Sequence, residues 1–300
     1  MISVPSAVIF WHDCSFVVLN SSGLIRSFRA TFHLKSVNLD ENWPASWKAS
    51  YLYDLEEVYG RIKNRGYAYA YDRRRRATFA LITEVLPPGA RILDVAAAQG
   101  NFSIALAEMG YEVTWNDMRA ELADYVRMKQ EFGTIHFAPG NAFNIDLPAL
   151  FDGVLITEVI EHTAHPDQLL ARAAQLVRPG GYVVMTTPNG AYFRNKLPKF
   201  TEASDPGVYE SVQFKPDTDG HIFLLHPDEV KPLAERAGLV LERLTLSSNP
   251  LTSGHVKTEF FLRRLPRPLV DGIEQLTGYL PSFLTTKLFT QMVVRFRRPK

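Results

Sequence analysis

The stretch "ILDVAAAQGNFSIALAEMGYEVTWND", residues 92–117, decides the fold. It reads as a short apolar strand, a tight turn, an amphipathic helix and a second strand that ends on an acid. Asp94 lies near the end of the first strand and Gly100 opens the helix, with only small residues at Ala96 to Ala98. Small side chains let backbone approach a ligand. A left-handed backbone costs an alanine about 1–2 kcal/mol, so Ala96 and Ala98 are expected to keep negative φ and Gly100 to supply the close approach. Taken alone, the turn reads equally well as an ordinary strand-to-helix connection. Its context is more telling, because the second strand ends at Asn116-Asp117, about 20 residues on, where a doubly wound sheet places the acid that takes ribose hydroxyls.

Working outward, the same alternation continues. Strand-like runs at Arg91–Val95, Glu112–Trp115, Ile135–Ala138, Gly153–Thr157 and Gly181–Thr187 alternate with helical runs at Phe102–Glu108, Arg119–Glu131 and Pro166–Leu176. That is the pattern of an α/β, doubly wound, mostly parallel sheet with helices on both faces. Upstream, residues 43–66 and 71–89 carry helical spacing and end on Gly66 and on Pro87-Pro88-Gly89, which predicts two lead-in helices within 39–89. The main domain then spans 90–300. Residues 1–38 match no element of this core and read as an arm without fixed structure.

Composition narrows the class. A net charge of +1 argues against a nucleic-acid partner, since such proteins carry a positive excess to replace counterions. The single cysteine, Cys14, makes no internal disulfide, so the cytoplasm is the default compartment. The apolar run near the N-terminus is interrupted by Trp11-His12-Asp13 and reads as neither a signal peptide nor a membrane span.

The segments "ILDVAAAQGNFS", "FDGVLITEVIEH" and "LVRPGGYVVMTTPN" resemble class I S-adenosylmethionine-dependent methyltransferases, in the branch containing ubiquinone-pathway O-methyltransferases. The likeness runs over roughly residues 70–250. It implies a seven-stranded Rossmann-like sheet with a helical insertion before an antiparallel last strand at 291–298. The family's first loop is typically D-x-G-x-G-x-G, and two of those glycines are Ala96 and Ala98 here. The resemblance places the methionine end of the cofactor beside Asp94, Ala96 and Gly100, the ribose hydroxyls at Asp117 and the adenine edge at Asn141 and Ala142. One of Arg73 to Arg76 could take the cofactor carboxylate in a bidentate fork, or the four could form a solvated basic helix face. A dinucleotide fits the turn less well, because an Ala-Ala-Ala-Gln turn makes a poor diphosphate cradle.

Past the fourth strand, Glu158, Glu161 and His162 form E-x-x-E-H. On one helical turn these positions share a face, and His221 is a distant partner. Two carboxylates and imidazoles suit Mg²⁺ or Mn²⁺, and the pattern resembles the metal site of small-RNA 2′-O-methyltransferases. Without a metal, His162 or His221, beside Glu161, reads as the general base. The acids could also simply cap a helix start.

Two insertions carry what remains. Residues 189–225 form a long loop in which Tyr192, Phe193, Arg194 and Lys196 could wall an acceptor pocket. Residues 250–290 read as two short amphipathic helices broken by prolines. From 261 to 300 there are eight Lys or Arg and two acids, which fits peripheral contact with an anionic membrane, an active-site cover or a dimer seam. The leading expectation is O-methylation of a small molecule or glycan. RNA 2′-O-methylation and a non-catalytic cofactor-binding scaffold are the alternatives.

Overall fold

The computed structural model describes residues 35–60, 63–145, 147, 150–213 and 220–300, together with the backbone of three short strands near the N-terminus. Those strands, Ile9–Phe10, Ser15–Leu19 and Ile25–Arg29, pair antiparallel in chain order. The rest of the expected arm up to residue 34 lies outside the described residues.

Seven strands make the main sheet: β1 (Arg91–Val95), β2 (Glu112–Trp115), β3 (Thr134–Phe137), β4 (Phe151–Thr157), β5 (Val177–Pro188), β6 (Val240–Ser247) and β7 (Gln291–Arg297). They lie in the order 3-2-1-4-5-7-6. Only β7 opposes its neighbours, pairing antiparallel with both β5 and β6. The strand order reverses between β1 and β4, which is where a doubly wound sheet opens its ligand crevice.

The central strands are continuous apolar runs because both faces are covered. On one face Leu93, Val154, Val183 and Val294 pack under α5 (Pro166–Leu176) and α6 (Pro227–Arg236). On the other, Ile92, Val113, Leu155 and Val293 pack under α2 (Arg65–Thr83) and α3 (Asn101–Glu108). A third cluster joins α1 (Ala45–Glu57) and α4 (Leu122–Lys129) through Tyr51, Tyr125 and the edges of Trp43 and Trp47.

Two boundaries differ from expectation. Helix α2 starts at Arg65, capped by the Asn64 side chain, which accepts from Tyr67 N at 3.0 Å. Gly66 therefore sits inside the helix and does not end the one before it. The residue is small because a Cβ there would lie 2.5 Å from the backbone nitrogen of Gly254. Strand β5 begins at Val177, ahead of Pro179-Gly180-Gly181, and the register shift against Phe151–Gly153 absorbs those residues as a bulge.

The insertion before β7 forms α7 (Glu259–Leu262), α8 (Arg267–Gly278) and α9 (Ser282–Leu288). It leaves and rejoins the sheet on one rung, with Ser247 opposite Gln291 and Thr290 N donating to Ser248 O at 2.9 Å. No helix among the described residues is long and apolar enough to cross a membrane.

Candidate active site

The turn after β1 departs from the expected backbone. Ala96 (φ 52°) and Ala98 (φ 47°) both adopt the left-handed conformation, as does Gly100 (φ 72°). Strain of about 1–2 kcal/mol at each alanine is held in place by several bonds at once. Ala97 N donates to Asn116 O, Ala98 N donates to Asp117 Oδ2 at 2.9 Å, and Trp115 Nε1 donates to Ala98 O at 3.0 Å. Alternate left-handed residues curl the backbone into a concave shape, with the N–H groups of Ala97, Ala98 and Gly100 bonded within the protein. Gly100 does make a close approach, but to the protein: a Cβ there would meet Val126 at 2.7 Å.

Asp94 is fully buried under this turn. Ser103 Oγ donates to its Oδ2 at 2.6 Å, and its Oδ1 has no partner among the described residues. Burial pushes its pKa up to about 7, the Ser103 hydrogen bond pulls against that, and the charge of Asp117 adds to the rise. Asp117, two residues past β2, is saturated. A carboxylate offers about four lone-pair sites; here Ala98 N, Arg119 N, Arg119 Nε and Arg119 Nη2 all donate to it, at 2.9–3.1 Å. A ribose diol at Asp117 therefore requires the half-exposed Arg119 guanidinium to step aside. Asn141 accepts from Phe143 N, and Ala142 O accepts from Arg172 Nε.

Beneath the turn runs a buried polar network absent from the sequence reading. Lys129 Nζ reaches Asp54 Oδ2 at 2.7 Å and Asn101 Oδ1 at 2.9 Å. Tyr125 OH also donates to Asp54, and Asn101 Nδ2 bridges Asp54 and Glu57. Gln99, from the turn itself, donates to Glu57 at 3.1 Å. Burial raises Glu57's pKa above the usual carboxylate range and lowers that of Lys129. The network ties α1 and α4 to the floor of the turn. Its sequence signal was Lys129, which falls seven residues after Leu122 on the buried stripe of α4.

The second turn follows β4, whose Ile156 pairs with Met185 and whose neighbour β1 ends one residue earlier, so the two turns emerge side by side. Glu158 is not on a helical turn with Glu161. It has φ 53°, and the single 3-10 turn begins only at Ile160. Its carboxylate instead meets Arg74 Nη1 at 2.9 Å and Thr186 Oγ1 at 2.9 Å. The other three predicted ligands do converge: one donor atom each from Glu161, His162 and His221 lie within 4.8 Å of one another. The two imidazoles meet edge to face at 4.8 Å. His221 is brought in by Ile222 N, which donates to Glu161 O at 2.7 Å. Glu161 is buried, accepts from Thr187 Oγ1 at 3.0 Å on Oε2, and its Oε1 has no partner among the described residues. Burial and then the neighbouring Glu158 charge hold its pKa well above the carboxylate range.

The four arginines of α2 form neither a solvated face nor a free fork. Arg73 pairs with Asp271 and Glu274, Arg74 with Glu158, and Arg75 and Arg76 with Asp72. Arg74 lies within electrostatic reach of both Glu57 and Glu158 and so couples the two turns. In the 189–225 insertion, Tyr192 packs edge-on against His255 and Arg194 Nη1 donates to His255 O. Phe193 is exposed, and its N–H donates to Lys287 O.

This geometry has counterparts. A profile of the methyltransferase domain matches residues 65–244. The ubiquinone biosynthesis O-methyltransferase of Aromatoleum aromaticum is 31% identical over 169 residues, covering 55% of this chain and 70% of that relative. The protein of the same name from Shewanella pealeana is 30% identical over 169 residues with the same coverage. Among solved structures, the N-methyltransferase NodS of Bradyrhizobium japonicum, in complex with S-adenosyl-L-homocysteine, superposes with a TM-score of 0.51 at 12% identity, covering 86% of this chain and 100% of that one. At that identity the likeness establishes the fold.

Proposed function

The chain belongs to the S-adenosylmethionine-dependent methyltransferase family, and from that premise we propose that it methylates a hydroxyl oxygen of a small-molecule or glycan acceptor. The observation that carries the oxygen assignment is the convergence of Glu161, His162 and His221 beside the cofactor turn. Two imidazoles and a buried acid are suited to taking a proton from a hydroxyl. The names of the two relatives, both O-methyltransferases, support the same reading.

The residues of the first turn fit the cofactor. The bare, buried Asp94 Oδ1 suits the ammonium at its methionine end, Asp117 suits the ribose once Arg119 has moved, and Asn141 keeps acceptor capacity for the adenine edge. When bound, S-adenosylmethionine supplies a methyl group already activated on sulfonium sulfur. The protein's own work is alignment, worth roughly 7–11 kcal/mol, and removal of the acceptor proton. His162 or His221 would take the proton that the acceptor hydroxyl gives up on methylation.

A divalent ion on Glu161, His162 and His221 would lower the pKa of the acceptor hydroxyl. With Glu158 engaged by Arg74, the donor set is two nitrogens and one oxygen. That set suits Mn²⁺ better than Mg²⁺, which prefers oxygen ligands.

The test is product analysis after incubation with methyl-labelled cofactor and a panel of hydroxylated aromatics, alcohols and glycans. Label on oxygen is expected, with turnover reduced by chelator and restored better by Mn²⁺ than by Mg²⁺. Label on nitrogen or carbon would overturn the oxygen assignment, and turnover indifferent to chelator would remove the ion.

A further inference from the structure

A helix on the surface of a water-soluble protein ordinarily turns its apolar stripe inward and its charges outward. Helix α8 does the reverse. Its acids face the protein: Asp271 pairs with Arg73, and Glu274 accepts from Ser248 N and Thr252 Oγ1. Of its apolar side chains only Val270 is buried, while Leu269 and Leu276 face water, 51% and 71% exposed. The pattern extends through the neighbouring helices. In α7, Leu262 packs inward on Tyr69 and Val270 while Phe260 and Phe261 point out. Beyond α8, Tyr279 is 87% exposed, and in α9 Phe283 is 69% exposed.

Cations accompany this face. Arg263 and Arg264 follow α7 directly and both are exposed, but Arg263 is already paired with Glu259 at 3.1 Å and donates to Lys63 O. Arg264 lies 3.8 Å over the ring of Phe260 and meets no carboxylate among the described residues. Lys287 is exposed in the last turn of α9. The basic excess expected over 261–300 is thus narrower than the sequence suggests. Arg295 is buried against Glu84 and Glu242, and Arg298 is spent on the carbonyls of Ala174 and Val177.

We propose that the outward side of α7–α9 docks on an anionic membrane surface, seating its aromatic and leucine side chains at the headgroup boundary with Arg264 and Lys287 against lipid phosphates. Apolar side chains interleaved with cations, on helices too short to span, are the composition of an interfacial anchor. A second copy of the chain is the poorer occupant. A two-fold contact brings the same patch against itself and would set these cations against one another. The face is also fixed relative to the active site. The Asn189 side chain, at the end of β5, donates to Thr286 O and Phe289 O, and Phe193 N donates to Lys287 O. Docking would therefore hold the end of β5 in a fixed relation to the bilayer, whatever the acceptor is.

The experiment is co-sedimentation of the full-length chain with vesicles of phosphatidylcholine alone and of phosphatidylcholine mixed with phosphatidylglycerol. Binding is expected to the anionic vesicles only, and to weaken as salt rises. A Leu276→Asp/Phe283→Asp variant should lose at least about tenfold in affinity. Arg264→Glu/Lys287→Glu should lose about fivefold for each cation removed. All four side chains are exposed, so both variants should keep the parent's thermal melt and its affinity for S-adenosylmethionine, which reads the catalytic assignment separately. The proposal is overturned if the parent stays in the supernatant, if it binds neutral vesicles equally, or if light scattering shows a dimer that Leu276→Asp/Phe283→Asp dissociates.

Discussion

Near the end of β1, Asp94 accepts one hydroxyl hydrogen bond, from Ser103, and leaves its other oxygen bare; in the turn after β4, Glu161 does the same with Thr187. Both acids are buried, and burial raises the pKa of each. Their surroundings differ. Each has a second acid as charged neighbour, Asp117 at Asp94 and Glu158 at Glu161, but only Glu161 also sits beside two imidazoles. On the proposed reading the same local device serves two purposes: the first acid receives a positive group that stays put, the second shares a proton or an ion that comes and goes.

The contrast can be broken by exchanging readouts. His221→Ala is expected to lower kcat by about 10²–10⁴, with Glu161→Gln falling in the same range, and to leave the affinity for S-adenosylmethionine unchanged. Asp94→Asn should show the opposite split, with affinity lost by roughly ten- to a hundredfold in titration calorimetry. If Glu161→Gln weakened cofactor binding as much as Asp94→Asn, the two turns would not be distinct.

The bracing is tested at Lys129. Lys129→Met leaves Asp54 buried without its cation and should cost about 3–5 kcal/mol in denaturant unfolding. A loss below about 1 kcal/mol would mean that the first turn does not depend on this support.

Acidity sharpens the comparison further. The folded pKa of Asp94, about 7, lies above that of an unfolded aspartate. Its contribution to stability is therefore complete below about pH 4 and is lost as pH rises through the folded value. Asp94→Asn stays neutral throughout, so its melting temperature should gain on the parent's across that window and then level off. Cofactor affinity should run the other way, tightening with pH up to about 7, because a cation at Asp94 favours the carboxylate. The smallest effect is at Ala98. Ala98→Gly relieves left-handed strain but frees the unfolded chain, for a net stabilisation of about 1 kcal/mol or less by thermal melt.

Much of this molecule was legible in its sequence because the information was local. The strand–turn–helix alternation marks β1, β2, β4 and β5, and the acids near strand ends, Asp94 and Asp117, declare themselves by position. What escaped was long-range. Nothing near Asp54 in the chain announces Lys129, 75 residues on, and nothing near Glu158 announces Arg74. The alanine turn misled for a physical reason: an intrinsic backbone preference of about 1–2 kcal/mol was overruled by bonds from Asn116, Asp117 and Trp115. Glu158 misled because helical spacing was assumed where the chain makes a left-handed step.

The pairing of Ser247 with Gln291 means that the chain between them begins and ends on neighbouring strands. Its length is therefore not set by the sheet, whose register closes without it; what holds it in place is α2, through Arg73 to Asp271 and Glu274 and through Glu259 at the amides of Arg65 and Gly66.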